Sequence, residues 1–430
     1  MAVDVLLIGS GGREHALAWK LKQSSRIGKL YVVPGNGGTR LVGENVPIGA
    51  MEFEKLAQFA EEKKIGLTVC SVDNPLAAGI VDFFQSRGLR IWGPTKAAAQ
   101  IESSKAFAKQ LMREEGIPTG SFWTFRDYGR ALEYAAECAF PIVVKASGLA
   151  QGKGVHICRT FEEAEQALAL LMLEGVKKGG SGEVVIEEFL EGEEVSIHAL
   201  CDGNTAVLWP PSRDRKQVGD GNKGKNTGGM GVIAPVSWVS AEMMAEIEQQ
   251  VVHPALAALA RNRTPFTGAL YPGLMWTSTG WKVLEYNARL GDPETQAYMR
   301  LLKTDLLNIL EACVEVRLSQ LPLIEWRPGF AVCVVIASGG YPDKYRTRIP
   351  IYGVEEAEKI PQVVVFHAGT AYENGQLVTD GGRVLNVNAV GATLKEALDR
   401  AYQAAKLISF EGMHYRLDIG KQALSRELRS

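Results

Sequence analysis

The sequence predicts an α/β protein with an amino-terminal open, mostly parallel sheet, a central unit of strands and glycine loops, and a small β-rich carboxy-terminal domain. Three observations lead there. Short apolar runs alternate with helical patterns in the first unit, glycine loops separate strands through the middle, and the last hundred residues hold short strands broken by glycines. A length of 430 residues also exceeds what one hydrophobic core serves, so two to four structural units are expected.

The elements follow in order. Val3–Ile8 is an apolar run, followed by Gly9-Ser10-Gly11-Gly12 and a helical pattern from Arg13 to Lys22. Leu30–Val33 is a second strand, closed by Pro34-Gly35-Asn36-Gly37-Gly38. Leu67–Ser71 and Leu89–Trp92 are further strands, with helices around Phe53–Lys63 and Ala78–Ser86. Ser103 or Ser104 can cap a helix from Lys105 to Glu115, which Gly116 and Pro118 stop. Pro322, Pro328 and Gly329 mark a boundary, after which Ala331–Ala337, Val363–His367 and Arg383–Val390 read as strands. The expected division is 1–102, 103–325 and 326–430.

Composition narrows the function. Hydrophobic residues at 46% and charged residues at 22% are ordinary for a folded globular chain, which leaves little room for disorder. A formal net charge of −2 supplies no basic field for nucleic acid or an anionic membrane surface, so phosphate must be bound locally. Six scattered cysteines, without C-x-x-C, argue against zinc and against a disulfide framework. The start lacks a basic region or cleavage site and no apolar stretch is long enough to span a membrane, so a cytoplasmic protein acting on small molecules is expected; the sequence does not set its oligomeric state, for which a monomer is one possibility.

The first glycine loop sits between a strand and a helix, where turn amides and a helix N-terminus can cradle a phosphate. Gly11, Gly12 and Arg13 are the candidates there. The loop is not a dinucleotide fingerprint, because Glu14 stands where a third glycine is needed and no acidic residue ends the second strand. Nicotinamide binding is disfavoured.

The centre is richer. Ile142–Lys145 and Val155–Cys158 flank a glycine hairpin with Gly148, Gly152, Lys153 and Gly154, a backbone flexible enough to fold over a triphosphate while lysines neutralise it. Glu183–Val195 then runs from a strand into an acidic crossover suited to an adenosine, with backbone groups for the base and a carboxylate for the ribose. Period-two geometry in Lys282–Arg289 puts Glu285, Asn287 and Arg289 on one face. A carboxylate beside an amide oxygen suits Mg²⁺ carrying nucleotide phosphates, and Arg289 can hold a phosphoryl oxygen. Gly291-Asp292-Pro293-Glu294 adds two acidic groups.

A helix lysine, a lysine–glycine hairpin, an acidic hinge and a Glu-x-Asn-x-Arg strand, in that order, resemble the ATP-grasp fold. More narrowly, the chain resembles the glycinamide ribonucleotide synthetase family over nearly its whole length. The segments are Gly9–Ala16, Pro34–Thr39, Ser104–Lys109, Gly148–Val155, Asn226–Gly231, Leu284–Gln296, Ser338–Pro342, Phe366–Thr370 and Gly381–Leu385. The resemblance implies a central ATP-grasp domain with a mobile lid at about 123–192. It also implies an ATP-dependent carbon–nitrogen ligase of purine biosynthesis, joining glycine to 5-phosphoribosylamine through glycyl phosphate with Mg²⁺ or Mn²⁺. By position, Lys105, Lys145, Gly152 and Lys153 would contact ATP phosphates, while Glu187, Leu190 and Glu193 would hold the nucleoside. Glu285 and Asn287 would hold the metal, and Arg289, Lys145 and Asp214 would be catalytic. Gly11, Gly12, Arg13, Asn36, Gly37, Asp73, Asn226, Thr227, Gly228, Asp292 and Glu294 would hold the amine and glycine.

Four places depart from the family pattern. Ser71-Val72-Asp73 replaces Gly-Pro-Glu, Ser147 replaces Asp, Asp214-Arg215-Lys216-Gln217 replaces Asp-His-Lys-Arg, and Asn222–Asn226 replaces Asp-Lys-Gly-Pro-Asn. Either these loops have drifted neutrally, or the chain is a paralogous ATP-grasp ligase for a different acid or amine.

Overall fold

The structure is a computed structural model that describes residues 2–149, 154–177 and 181–427. Gly152 and Lys153 lie outside the described residues. Among the described residues, no helix is long and apolar enough to cross a membrane.

The amino-terminal unit is a five-stranded, all-parallel sheet. Its spatial order is Glu44–Asn45, Ile27–Pro34, Val3–Gly9, Leu67–Cys70, Ile91–Trp92. Val5, Leu6, Leu7 and Ile8 are all fully buried, because a central parallel strand is covered on both faces and therefore reads as a continuous apolar run. The helix Gly12–Leu21 follows the first glycine loop. The helix expected at Ala78–Ser86 is Ile80–Ser86, and a further short helix that was not expected, Asp73–Ala78, precedes it. Gly79 at φ +97° takes the left-handed conformation that ends the short helix and redirects the chain into the next.

Residues 122–188 form a separate antiparallel sheet, ordered Phe122–Phe125, Val184–Glu188, Ile142–Ala146, Val155–Cys158. The helices Tyr128–Glu137 and Phe161–Leu168 pack on it around a core of its own, including Ala131, Val144, Ala164, Leu168 and Ile186. Below it, Thr267–Thr277 is the long central strand of a second antiparallel sheet, with Gly280–Asn287 along one side. The helix Lys105–Glu114 begins at Ser104, whose side chain accepts from Phe107 N at 3.2 Å, as the cap pattern predicts.

The carboxy-terminal stretch is β-rich as expected, but it does not complete its sheet alone. The order is Arg213–Asp214, Gly231–Ala234, Phe330–Ala337, Arg383–Gly391, Val363–His367, so two strands come from the middle of the chain. That shared sheet fixes Asp214 and the loop ending at Gly231 against the closing domain. The helix Leu394–Ala405, capped by Thr393, covers one face. On the other lies Glu294–Leu301, which also packs on Gly12–Leu21.

Leu385 is fully buried in this shared sheet, opposite Ile336 and His367. Leu385→Ala should destabilise the fold by about 2–5 kcal/mol. The check is a lowered thermal midpoint without ligand; an unchanged midpoint would show that the sheet tolerates the cavity.

Candidate active site

A cavity of about 580 Å³ opens where the four sheets converge. The strand Gly280–Asn287 brings Glu285 and Asn287 to its floor, and Arg289 follows just past the strand end. The separate sheet of residues 122–188 contributes Lys145 and Glu187, and the helix Lys105–Glu114 contributes Lys105 and Lys109. Arg13, Asp73, Asp292, the turn Asn226-Thr227-Gly228, and Tyr341, Tyr345 and Arg383 complete the lining.

The cationic side chains are oriented by carboxylates. Lys109 and Lys145 meet the same oxygen of Glu187, Oε2, at 2.8 and 2.9 Å. The other oxygen, Oε1, is buried with no hydrogen-bond partner. Lys145 also donates to Leu284 O at 3.2 Å, and Lys105 donates to Gly148 O at 3.3 Å, which ties the glycine hairpin to the helix. Arg289 pairs with Glu102 at 3.2 Å and donates to Asn287 Oδ1 at 3.0 Å. Its guanidinium therefore has one orientation.

Ionisation follows from this arrangement. Burial would raise the Glu285 carboxyl, but Lys216, then Lys105, Lys145 and Arg289, override it and hold it at about 2. Lys216 Nζ is 3.9 Å from Glu285 Oε1 and 4.0 Å from Glu194 Oε2, and despite burial its ammonium is stabilised by Asp214 and these glutamates. Burial lowers Lys109 to about 8, against the pull of Glu187. Glu294 behaves oppositely to Glu285: burial, then the neighbouring Asp214, pushes it up to about 7 although Tyr271 donates to it at 2.7 Å.

Glu285 and Asn287 offer a permanently ionised carboxylate and an amide oxygen on one strand. Among the described residues, no group of three or more His, Cys, Asp or Glu side chains could enclose a metal. Mg²⁺ carrying nucleotide phosphates needs only one or two protein oxygens, since phosphates and water fill its other positions. The donor set fits that group.

Of the residues expected from the sequence, Lys105, Lys145, Glu187, Leu190, Asp214, Glu285, Asn287, Arg289, Arg13, Asp73, Asn226, Thr227, Gly228, Asp292 and Glu294 all line the cavity. Five do not. Gly11 and Gly12 open the helix, but two of the amides there already have carboxylate acceptors: Gly11 N donates to Glu14 Oε2 at 2.8 Å and Arg13 N to Asp292 Oδ2 at 3.2 Å. Two carboxylates thus stand where a phosphate was expected, and a Cβ at Gly12 would run into Asn386 and Gln296. Asn36 spends both amide protons on Ser10 O and His367 O, each at 2.8 Å, while Oδ1 accepts from Gly38 N and Thr39 N. It clasps its own loop, and Gly37 follows it, with Gly37 N donating to Thr370 O at 2.9 Å. Glu193 points away from the cavity, each carboxylate oxygen 2.9 Å from an arginine, Arg213 or Arg426, and strand alternation turns Glu194 inward instead.

Several cavity residues were not read from the sequence. Lys109 lies one helical turn beyond Lys105, a spacing that could have found it. Tyr341 and Arg383 fall in the matched segments Ser338–Pro342 and Gly381–Leu385, and Lys216 in the Asp214–Gln217 stretch, but none was read as a site residue; Glu102 and Tyr271 carried no local pattern.

Comparison with known proteins agrees with the geometry. Family models described as phosphoribosylglycinamide synthetase match residues 3–102 (N domain), 103–295 (ATP-grasp A domain) and 331–422 (C domain). A phosphoribosylamine–glycine ligase from Synechocystis is 47% identical, the match covering 98% of this chain and all of that one. A crystal structure of phosphoribosylamine–glycine ligase from Thermotoga maritima superposes with a TM-score of 0.85 at 36% identity, covering 97% of this chain and 100% of the other. The biotin carboxylase domain of Hydrogenobacter thermophilus 2-oxoglutarate carboxylase, solved with MgADP, shares the fold at 18% identity and a TM-score of 0.73, covering 96% and 92%.

The raised Glu294 carboxyl sets a pH dependence. Its unfolded value is about 4.3, so its stabilising contribution is complete below that and is lost as pH rises through about 7. Glu294→Gln should therefore show a smaller fall in thermal midpoint between about pH 4.5 and 7 than the parent, in the absence of ligand. Identical slopes would refute the assignment.

Proposed function

We infer that this chain, which belongs to the phosphoribosylglycinamide synthetase family, carries out that family's reaction with the residues gathered in this cavity. It is an ATP-dependent ligase that joins glycine to 5-phosphoribosylamine, a step of purine biosynthesis. The observation that carries the residue assignment is the convergence of Glu285, Asn287 and Arg289 with Lys105 and Lys145, from three separate elements, on one cavity.

In this reading Lys105 and Lys145 hold ATP phosphates, and Glu187 with Leu190 faces the nucleoside. Glu285 and Asn287 would hold Mg²⁺ or Mn²⁺. Such an ion, when bound, neutralises phosphate charge and polarises the transferring phosphoryl group. Glycine's carboxylate attacks the γ-phosphorus, ADP leaves, and the amine of 5-phosphoribosylamine then displaces phosphate from the acyl carbon. No protein nucleophile takes part, so the chain's contribution is positioning and charge stabilisation. Arg289, its orientation fixed by Glu102 and Asn287, faces the transferring phosphoryl group. Asp214 and Glu294, whose carboxyl the Asp214 charge helps to raise, suit the ammonium of glycine.

Two measurements test this reading. ADP release should require both glycine and 5-phosphoribosylamine made in situ, with the amide product identified by mass; release that ignores either substrate would refute it. Glu285→Ala should lower kcat by at least about 100-fold, because the ionised metal-side oxygen is lost. A rate near the parent's would remove Glu285 from that role.

A further inference from the structure

The loop expected to cradle phosphate is closed by Glu14 and Asp292, yet the amine substrate carries a phosphate dianion. Its binding site must then be sought among the other cations of the cavity. Lys105, Lys145, Lys216 and Arg289 surround Glu285 and Asn287, where the triphosphate needs them. Lys109 is committed to Glu187 and Thr119, so Arg13 and Arg383 remain, both lining the cavity and both tied to Asp292, Arg13 through its backbone amide.

We propose that Arg383, with Tyr341, recognises the 5-phosphate of the amine substrate; this rests on the ligase reading above. Arg383 is anchored through a single nitrogen. NH1 donates to Gly228 O at 2.7 Å and Asp292 O at 2.8 Å and lies 3.3 Å from the Asp292 carboxylate. Burial works against its charge, but Asp292 more than compensates and keeps the guanidinium ionised. The Nε–NH2 edge has no hydrogen-bond partner among the described residues, and it is the edge that takes a phosphate through two parallel bonds. Tyr341 completes the arrangement. Its hydroxyl accepts from Gly228 N at 3.3 Å, which leaves its own proton for a phosphate oxygen. Arg13 is the poorer candidate, because its Nε is committed to Glu14 at 2.6 Å and NH1 to Leu290 O at 2.9 Å.

This assignment gives the closing domain a binding task. Arg383 begins a strand of the shared sheet and covers Gly228, where a Cβ would sit 3.0 Å from the guanidinium. One side chain thereby fixes the Asn226–Gly231 turn and reads the substrate's charged end.

The test compares binding of the product, glycinamide ribonucleotide, with that of its dephosphorylated riboside by calorimetry. The parent should prefer the phosphorylated compound. Arg383→Gln should weaken binding of the ribonucleotide about 10- to 100-fold, leave the riboside unchanged, and keep the affinity for ATP. Arg383→Lys, retaining charge without the fork, should recover part of the loss. Tyr341→Phe should show the same selective loss, several-fold, and it covers the case in which Arg383→Gln does not fold. Variants that still discriminate as the parent does would overturn the role of Arg383 and Tyr341. A parent that binds neither compound would overturn the ligase reading itself.

Discussion

The arrangement of the cavity depends on one carboxylate, Asp292. Its Oδ2 accepts from Arg13 N at the start of the first helix, its Oδ1 accepts from Gln296 at 2.7 Å, and Arg383 pairs with it at 3.3 Å. Three sequence-distant regions therefore share one charge. Burial opposes that charge, but Arg383, then Arg13 and Gln296, hold the Asp292 carboxyl below its ordinary range. A buried carboxylate left without such partners would cost several kcal/mol or take up a proton. The position of each partner is thus coupled to the others: shifting the closing domain withdraws Arg383, and shifting the first helix withdraws the Arg13 amide. A cavity assembled from loops of three units acquires defined geometry through such a residue.

A second constraint acts on the ATP side, where several cations would repel one another in an apolar setting. The chain answers with carboxylates interleaved between them: Glu187 between Lys109 and Lys145, Glu102 beside Arg289, Glu285 and Glu194 beside Lys216. Each cation is fixed before a ligand arrives, so little reorganisation is needed when phosphate charge enters. The depression of Lys109 to about 8 records the tension, since burial wins there even with Glu187 in contact. Lys109 reaches Glu187 while also donating to Thr119 at 2.7 Å, which makes it a positioning group for Glu187 rather than a phosphate ligand.

What the sequence revealed and what it hid divides along sequence distance. The strand Val3–Gly9, the cap at Ser104 and the period-two face of Glu285 and Asn287 depend on neighbours within a few residues, and their patterns were visible. Gly11 and Gly12 misled for the opposite reason. A glycine loop before a helix looks the same whether its amides await a phosphate or meet a carboxylate contributed 279 positions away. Glu193 and Glu194 differ only in which side of a strand they occupy, and the pairing of that strand with Thr267–Thr277 decides it. Arg383 falls in the matched segment Gly381–Leu385, but nothing local showed its role, because its partners Gly228 and Asp292 lie 155 and 91 positions away.

The same distinction bears on the four loops that depart from the family pattern. Ser71 is fully buried and its hydroxyl accepts from Leu290 N at 3.0 Å; Ser147 accepts from Ala106 N at 3.1 Å. Both side chains bond the backbone of a neighbouring segment. Arg215 reaches Gln422, Lys225 pairs with Asp343 at the surface, and Asn222 accepts from Arg416. Only Asp73 and Gln217, among the altered side chains, line the cavity. A change of acid or amine would need new shape or charge where the substrate sits, whereas most of these substitutions replace contacts between protein segments. The altered loops therefore fit neutral replacement around a retained site, with Asp73 and Gln217 as the two places where a difference in substrate handling could enter.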